Sequence, residues 1–266
     1  MRNLILAMLL TIMPLAVGAS AANESKPLKI VTVSPISHSL VTAMVENTPI
    51  QVTYLPPKRL PVSRIPSWIE KNKTRKFDQF DAYVSMRSVK PQFDLYASVR
   101  QSNIRVVEID IAEALLPKGE KVVLLNQQEY FWLNNNNLLL MLGILKRDLV
   151  SLWPQFSAMF NANQQALSSQ IRSINRASNE LLIKHDVAFM VANAKQAPFV
   201  NGFATDLATQ QDAQALGLNY LLVDKVKKTP SPNTWHIDDF SRFNKAPLIS
   251  RLKNNHNALS QTLSQL

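Results

Sequence analysis

Short apolar runs alternate with helical periodicity through the first part of the chain. Residues 28–33 form an apolar, β-branched run that predicts a strand, and apolar positions three or four residues apart over 35–47 predict an amphipathic helix. The pattern continues with predicted strands at 50–55, 82–86, 104–109 and 122–125 and predicted helices at 67–77 and 91–101. Strands that alternate with helices favour βα units around a mainly parallel sheet.

The pattern changes to long helices in the middle of the chain and then returns to alternation. Helical periodicity over 137–153 ends before Pro154, and a second helical stretch over 155–184 contains no Gly or Pro. Strands at 187–191 and 219–223 and helices at 206–215 and 247–263 complete the pattern. We therefore predict an α/β protein of two βα lobes with mainly parallel sheets. Its predicted parts are an N-terminal lobe at 26–153, one long linking helix at 155–184 and a C-terminal lobe at 185–266.

The first 21 residues have the features of a secretory signal peptide. Arg2 is followed by an apolar run over 4–17 and then by Ala19-Ser20-Ala21, small residues typical of a cleavage site. The run is shorter than the ~20 residues that span a bilayer, so we do not expect a transmembrane anchor. We expect cleavage after Ala21 and a periplasmic location.

Composition excludes several classes of chemistry. The chain has no cysteine, which excludes disulfides, cysteine-ligated zinc, iron–sulfur clusters and thiol nucleophiles. Its 5 glycines form neither a GxGxxG fingerprint nor a Walker loop, and neither GxSxG nor HExxH occurs, so we do not expect an enzyme. The formal charge of +10 comes without an aromatic stacking platform, so nucleic acid is not an expected partner.

Four local strings, together with the order of elements, carry a family resemblance. They are the opening strand and helix at 28–33 and 35–45, FDAYVS at 80–85, FWLN at 131–134 and FNAN at 160–163. A further string, LKNNHNAL at 252–259, adds to the match. The chain resembles the periplasmic metal-binding proteins of zinc and manganese ABC importers, the cluster A-I solute-binding proteins. The resemblance implies two α/β lobes joined by a long rigid helix, a metal ion between the lobes and an ABC permease as partner.

The residues at the family's metal-ligand positions differ from the family pattern. By the resemblance, Leu60, Tyr130 and Asn193 stand where the family has histidines, and Asp224 is the nearest candidate for its acidic ligand. Imidazole is the ligand that suits Zn²⁺ in a closed site, whereas Leu cannot coordinate and Tyr and Asn are poor substitutes. We therefore expect a degenerate metal site, with Zn or Mn as weak ligands at most, and a changed ligand.

Two charged segments offer further candidate chemistry. Residues 58–76 carry seven basic side chains and one acid, and Lys58, Arg59 and Arg64 are candidates to border the cleft. Such a field would attract a small anion, and the alternative interpretation is a solvated basic surface.

The densest group of potential metal ligands lies near the C-terminus. It comprises His236, Asp238 and Asp239, and the functional interpretation is a replacement metal site. The alternative is a surface loop after Pro230 and Pro232 in which an Asp caps the next helix.

Two functional hypotheses follow from the sequence. The first is a monomeric solute-binding-protein homologue of a metal ABC importer, with a degenerate metal site and a changed ligand. The second is a non-transport envelope accessory or interaction protein that uses the same scaffold and its basic surface to engage a partner.

Overall fold

A computed structural model describes residues 27–113, 119–125, 129–217, 219–226 and 233–265. The predicted signal peptide at 1–21 lies outside the described residues. No helix in the described ranges is long and apolar enough to cross a membrane.

The N-terminal lobe is built on a four-stranded parallel sheet. Its strands are β1 (Lys29–Thr32), β2 (Gln51–Tyr54), β3 (Ala82–Ser85) and β4 (Val107–Asp110), in the order β2-β1-β3-β4. Its helices are α1 (Pro35–Met44), α2 (Ile65–Asn72), α3 (Tyr96–Arg100) and α4 (Asn135–Leu152). The central strands β1 and β3 are buried almost throughout, as expected for a parallel sheet covered on both faces.

Local chemistry sets the start of the first helix. The Ser34 side chain accepts a hydrogen bond from the Ser37 N–H at 3.1 Å, and Pro35 occupies the first turn, where no N–H is needed. The first βα turn is therefore fixed at the carboxyl end of β1. In an open α/β sheet this end of the strands is where ligand clefts form.

One long helix, α5 (Ser157–Lys184), links the two lobes. Its 28 residues span about 42 Å at the helical rise of 1.5 Å per residue. Near its start the Asn163 amide donates hydrogen bonds to the carbonyls of Met44 and Glu46, both at 2.9 Å, and so binds the end of α1. Farther along, the Asn175 amide donates to the Gly202 carbonyl of the other lobe. The helix is therefore anchored to both lobes.

The C-terminal lobe repeats the parallel arrangement. Its strands are β5 (Phe189–Ala192), β6 (Asp206–Leu207), β7 (Tyr220–Lys225) and β8 (Thr234–Ile237), in the order β6-β5-β7-β8. Its helices are α6 (Ala197–Val200), α7 (Gln210–Ala215) and α8 (Leu248–Leu263). The predicted fold class, two parallel α/β lobes joined by one long helix, is confirmed.

Three sequence-based expectations about elements are wrong. Residues 122–125 do not form a strand, because the Val123 N–H and C=O are both bound at 2.8 Å by the Asn137 side chain rather than by a neighbouring strand. The segment 206–215 is not one helix, since it begins as β6 at the sheet edge and turns helical only after Thr209, which caps α7. Residues 234–237 are the strand β8 rather than a surface loop, and Trp235 is buried.

Candidate functional site

A cavity of about 890 Å³ lies between the two lobes. The C-terminal lobe contributes residues at the carboxyl ends of β5, β7 and β8, and the other lobe contributes Pro61, Ser63 and Tyr130. The strand order of the C-terminal sheet reverses between β5 and β7, and such a switch point is where open α/β sheets form ligand crevices. The volume is in the range of small-molecule sites.

Three of the four positions matched to family ligands line this cavity. Tyr130, Asn193 and Asp224 belong to its wall, and they come from both lobes. Leu60 does not line the cavity; it is half-buried against the hydrophobic core, while the next residue, Pro61, reaches the wall. The Asn193 side-chain oxygen accepts a hydrogen bond from the Lys195 N–H at 2.9 Å, which leaves its amide group as a donor.

The basic side chains at the cavity are different from those expected. Lys58, Arg59 and Arg64 are exposed and do not line it. The basic residues in its wall are Lys195, Lys225 and Arg242, all exposed. One hydrogen bond links the expected basic residues to those in the cavity wall, because the Arg242 guanidinium donates to the Arg59 carbonyl at 3.3 Å.

The donor set does not fit a zinc or manganese ion. His236 lies away from the cavity wall, with its Nδ1 3.3 Å from the Lys225 carbonyl oxygen. Asp238 reaches the wall but forms a two-point ion pair with Arg251, with both N···O distances at 2.7 Å. Over the described ranges, no three His, Cys, Asp or Glu side chains come together as a group that could hold a metal ion. Zinc needs about four nitrogen, sulfur or carboxylate ligands.

Asp239 is the acidic side chain that is most deeply placed in the cavity wall. It is only 5% exposed, and its carboxylate accepts hydrogen bonds from the Gln196 amide at 3.1 Å and from the Ser241 N–H at 3.0 Å. Gln196 is itself 2% exposed and lines the cavity, and its Oε1 has no hydrogen-bond partner in the described part of the chain. Sequence analysis missed Gln196, because nothing in its local sequence marks it.

One aromatic ring, that of Tyr130, lies in the wall that the N-terminal lobe contributes. The Tyr130 ring stacks on the Trp132 ring with centroids 4.9 Å apart and planes 13° from parallel. Burial, and then the nearby Asp239 charge, raise the pKa of Tyr130 to about 12. The phenol is therefore protonated at neutral pH and acts as a hydrogen-bond donor at the cavity.

Direct hydrogen bonds cross from one lobe to the other around the cavity. The N–H of Val62 donates to the Ser241 carbonyl at 2.8 Å, and the N–H of Tyr130 donates to the Lys195 carbonyl at 3.2 Å. The Trp132 indole donates to the Asp239 carbonyl at 3.1 Å. The structure is therefore a closed arrangement in which the lobes contact each other directly.

A ring cluster extends the contact between the lobes. Phe243 stacks on Tyr54 with ring centroids 4.8 Å apart and lies 5.0 Å from the His38 ring. The Lys58 ammonium lies 5.6 Å from the centre of the Phe243 ring. Burial, and then the Lys58 charge, lower the pKa of His38 to about 4, so this histidine is neutral at physiological pH.

The fold is similar to that of solved metal-binding proteins. The SBP FpvC from P. aeruginosa in complex with Ni²⁺ has 14% sequence identity and a TM-score of 0.60, over 90% of this chain and 98% of that one. The metal-dependent lipoprotein YcdH from Bacillus subtilis has 11% identity and a TM-score of 0.63, over 88% and 99% of the two chains. A Zn(II)-bound mutant variant of AdcAII from Streptococcus pneumoniae has 12% identity and a TM-score of 0.62, over 90% and 99%. At these identities the likeness shows the fold alone. No protein-family model matches the sequence, and no curated protein matches it significantly.

Proposed function

We propose that the chain is a solute-binding protein of the metal-importer class whose cleft takes a ligand other than a histidine-bound metal ion. The observation that carries this proposal is the interlobe cavity of about 890 Å³, which is lined by polar side chains of both lobes and lies at the carboxyl ends of the parallel strands of the C-terminal lobe. A site built from both lobes stabilises the closed arrangement when it is filled, and this is how two-lobed binding proteins couple binding to closure.

The proposed change of ligand rests on the chemistry of the wall. Tyr130, Asn193 and Asp224 offer a phenol, an amide and one carboxylate. These groups form hydrogen bonds with an organic solute, whereas a transition metal prefers imidazole or thiolate. We propose that the protein is exported to the periplasm, is monomeric and performs no catalysis, and that it delivers its ligand to an ABC permease. The signal sequence and the neighbours' shared fold support this placement.

Calorimetric titration of residues 22–266 tests the proposal. We expect Zn²⁺ and Mn²⁺ to bind more weakly than micromolar in this titration. In a thermal-shift assay of the same protein, we expect at least one compound in a panel of small organic solutes and anions to raise the melting temperature. A matched pair of variants, Asn193→Ala in the cavity and Asn254→Ala on the exposed face of α8, locates the site: only the first should weaken the solute. Micromolar or tighter Zn²⁺ binding that Tyr130→Phe abolishes would contradict the proposed change of ligand.

The second candidate is an envelope interaction protein, which is favoured by one observation. Lys58, Arg59 and Arg64 form an exposed basic surface outside the cavity, free to meet an acidic partner. A pull-down from envelope extracts, with a variant in which all three are Ala, tests this role. Loss of a captured partner in the variant would support it, whereas recovery of an ABC permease alone by both proteins would exclude it.

A further inference from the structure

Among the residues that the structure describes, the interlobe cavity contains a buried carboxylate without a matching positive charge. The Asp239 carboxylate accepts hydrogen bonds from two neutral donors, the Gln196 amide and the Ser241 N–H. Within the described ranges, it forms no ion pair with a Lys, Arg or His side chain. Its neighbour Asp238 is different, because that carboxylate is neutralised by Arg251. A carboxylate that is only 5% exposed is costly to leave without a counter-charge, so the site favours a cationic occupant.

A second buried acceptor lies beside this carboxylate. Gln196 uses its amide N–H to bind Asp239, and its Oε1, which is also buried, has no partner among the described residues. Buried amide oxygens almost always accept a hydrogen bond, and one that does not is a place where a ligand or an ordered water completes the network. Asp239 and Gln196 both belong to the cavity wall, and their oxygen acceptors lie side by side just beneath its surface.

The surroundings decide which kind of cation fits. Two oxygen-bearing side chains are too few for a hard metal ion, since Ca²⁺ takes six to eight oxygen ligands and Mg²⁺ about six. A primary ammonium has three N–H donors, which match a carboxylate, an amide oxygen and one further acceptor or water. Aromatic rings attract organic cations through their π faces, and the Tyr130 ring lies in the same wall. A cavity of about 890 Å³ also has room for far more than a bare ion.

We propose that the cleft binds a small organic solute through its primary ammonium group, which docks against Asp239 and Gln196; this inference rests on the proposed solute-binding function. The exposed cations of the wall, Lys195 and Arg242, complement a carboxylate elsewhere on the same solute. The solute class is therefore an amine of amino-acid or short-peptide type, and not a metal ion.

Matched probes test the role of the ammonium group. Trialanine, glucosamine and spermidine each carry a primary ammonium, and the N-acetylated form of each removes the charge at one nitrogen. We expect at least one of the free amines to bind residues 22–266 in a calorimetric titration. For trialanine and glucosamine, whose single amine is acetylated, binding should weaken about 10- to 100-fold, the range of one lost charge-assisted hydrogen bond.

Matched variants test the place of the ammonium group. Asp239→Asn keeps the shape and the acceptor for the Ser241 N–H and removes the charge, so it should weaken the free amine about 10- to 100-fold. Asp206→Asn removes an equal charge from the exposed edge strand β6, outside the cavity wall, and should change affinity less than threefold. Circular dichroism of both variants checks that they fold. If a variant does not fold, the comparison of free with acetylated probes on the unchanged protein still tests the inference.

Several results would overturn the inference. They are equal binding of free and acetylated forms, unchanged affinity in Asp239→Asn, no binding of any of the three amines, or Zn²⁺, Mn²⁺ or Ca²⁺ binding that Asp239→Asn removes. The proposed solute-binding function falls only if no ion or solute in the wider panel binds, so the two failures are distinguishable.

Discussion

Replacing the buried arginine of the last helix should destabilise the protein strongly. Arg251 on α8 is 2% exposed and pairs with Asp238 through two N···O contacts of 2.7 Å. Its third nitrogen donates at 3.0 Å to the Ser39 hydroxyl of the other lobe, and its guanidinium lies 3.8 Å from the centre of the Phe240 ring. The side chain therefore supports both the C-terminal lobe and the contact between lobes.

The magnitude follows from these contacts. Removing one partner of a buried ion pair costs about 3–5 kcal/mol, because the other charge is left uncompensated. The Asp238 side chain is 27% exposed, so water recovers part of this loss and about 3 kcal/mol is expected from the pair. Loss of the ring contact adds about 1 kcal/mol. We therefore expect Arg251→Met to lower the free energy of unfolding by about 3–4 kcal/mol and the melting temperature by about 6–16 °C.

Urea unfolding at pH 7, followed by circular dichroism, measures the change. Lys253→Met is the matched control, since this exposed cation lies on the same helix, and its effect should stay within about 0.5 kcal/mol. A double-mutant cycle with Asp238→Asn should give a coupling energy of at least about 1 kcal/mol. A loss below about 1 kcal/mol for Arg251→Met, or no coupling, would refute the reasoning.

Three further substitutions probe the interior and the contact between lobes. Because burial lowers the pKa of His38 from 6.5 to about 4, the unfolded chain binds its proton first, so this residue's contribution to stability is present above pH 6.5 and is lost as pH falls towards 4. His38→Gln should lose that part of the pH dependence of stability. Urea unfolding at pH 7 and pH 4.5 measures it, and an equal change in the free energy of unfolding between the two pH values in both proteins would contradict the prediction. Asn137→Asp cannot donate to the Val123 carbonyl and should cost about 2–3 kcal/mol by the same assay; a neutral result would show that the bond is dispensable. Trp132→Phe removes the indole hydrogen bond to the Asp239 carbonyl and should lower the free energy of unfolding by about 1 kcal/mol beyond the effect of the smaller ring. It should also weaken the binding of any cleft ligand, and unchanged binding would show that this bond does not contribute to closure of the lobes.

The regular parts of the fold are predictable because periodicity dominates them. The stretch 155–184 has no Gly or Pro and keeps apolar residues on one face, and it forms the helix Ser157–Lys184. Short elements are not predictable in the same way. Residues 234–237 form a strand only because β7 provides a partner and the core takes the side chains of Trp235 and Ile237. Four residues give no clear period, so a tertiary contact decides their state.

The candidate site is predictable only in part, because burial distinguishes residues that look alike in sequence. The resemblance selects Asp224 as the acidic position, and the structure brings both Asp224 and Asp239 to the cavity. What separates them is depth, since Asp239 is buried against Gln196 and Asp224 is half-buried. The register of β8 determines this depth, and the sequence Asp238-Asp239 cannot reveal which carboxylate pairs with Arg251.

The bonds that join the lobes around the cavity share an acceptor type. Ser241, Lys195 and Asp239 each receive a bond from the opposite lobe on a peptide oxygen, and so does Arg59. Every residue carries such an oxygen, whatever its side chain. Two of these bonds, from the N–H groups of Val62 and Tyr130, also have peptide donors. Cleft side chains can therefore diverge over evolutionary time while these two closing contacts persist, which gives this scaffold freedom to acquire new specificities by point substitution.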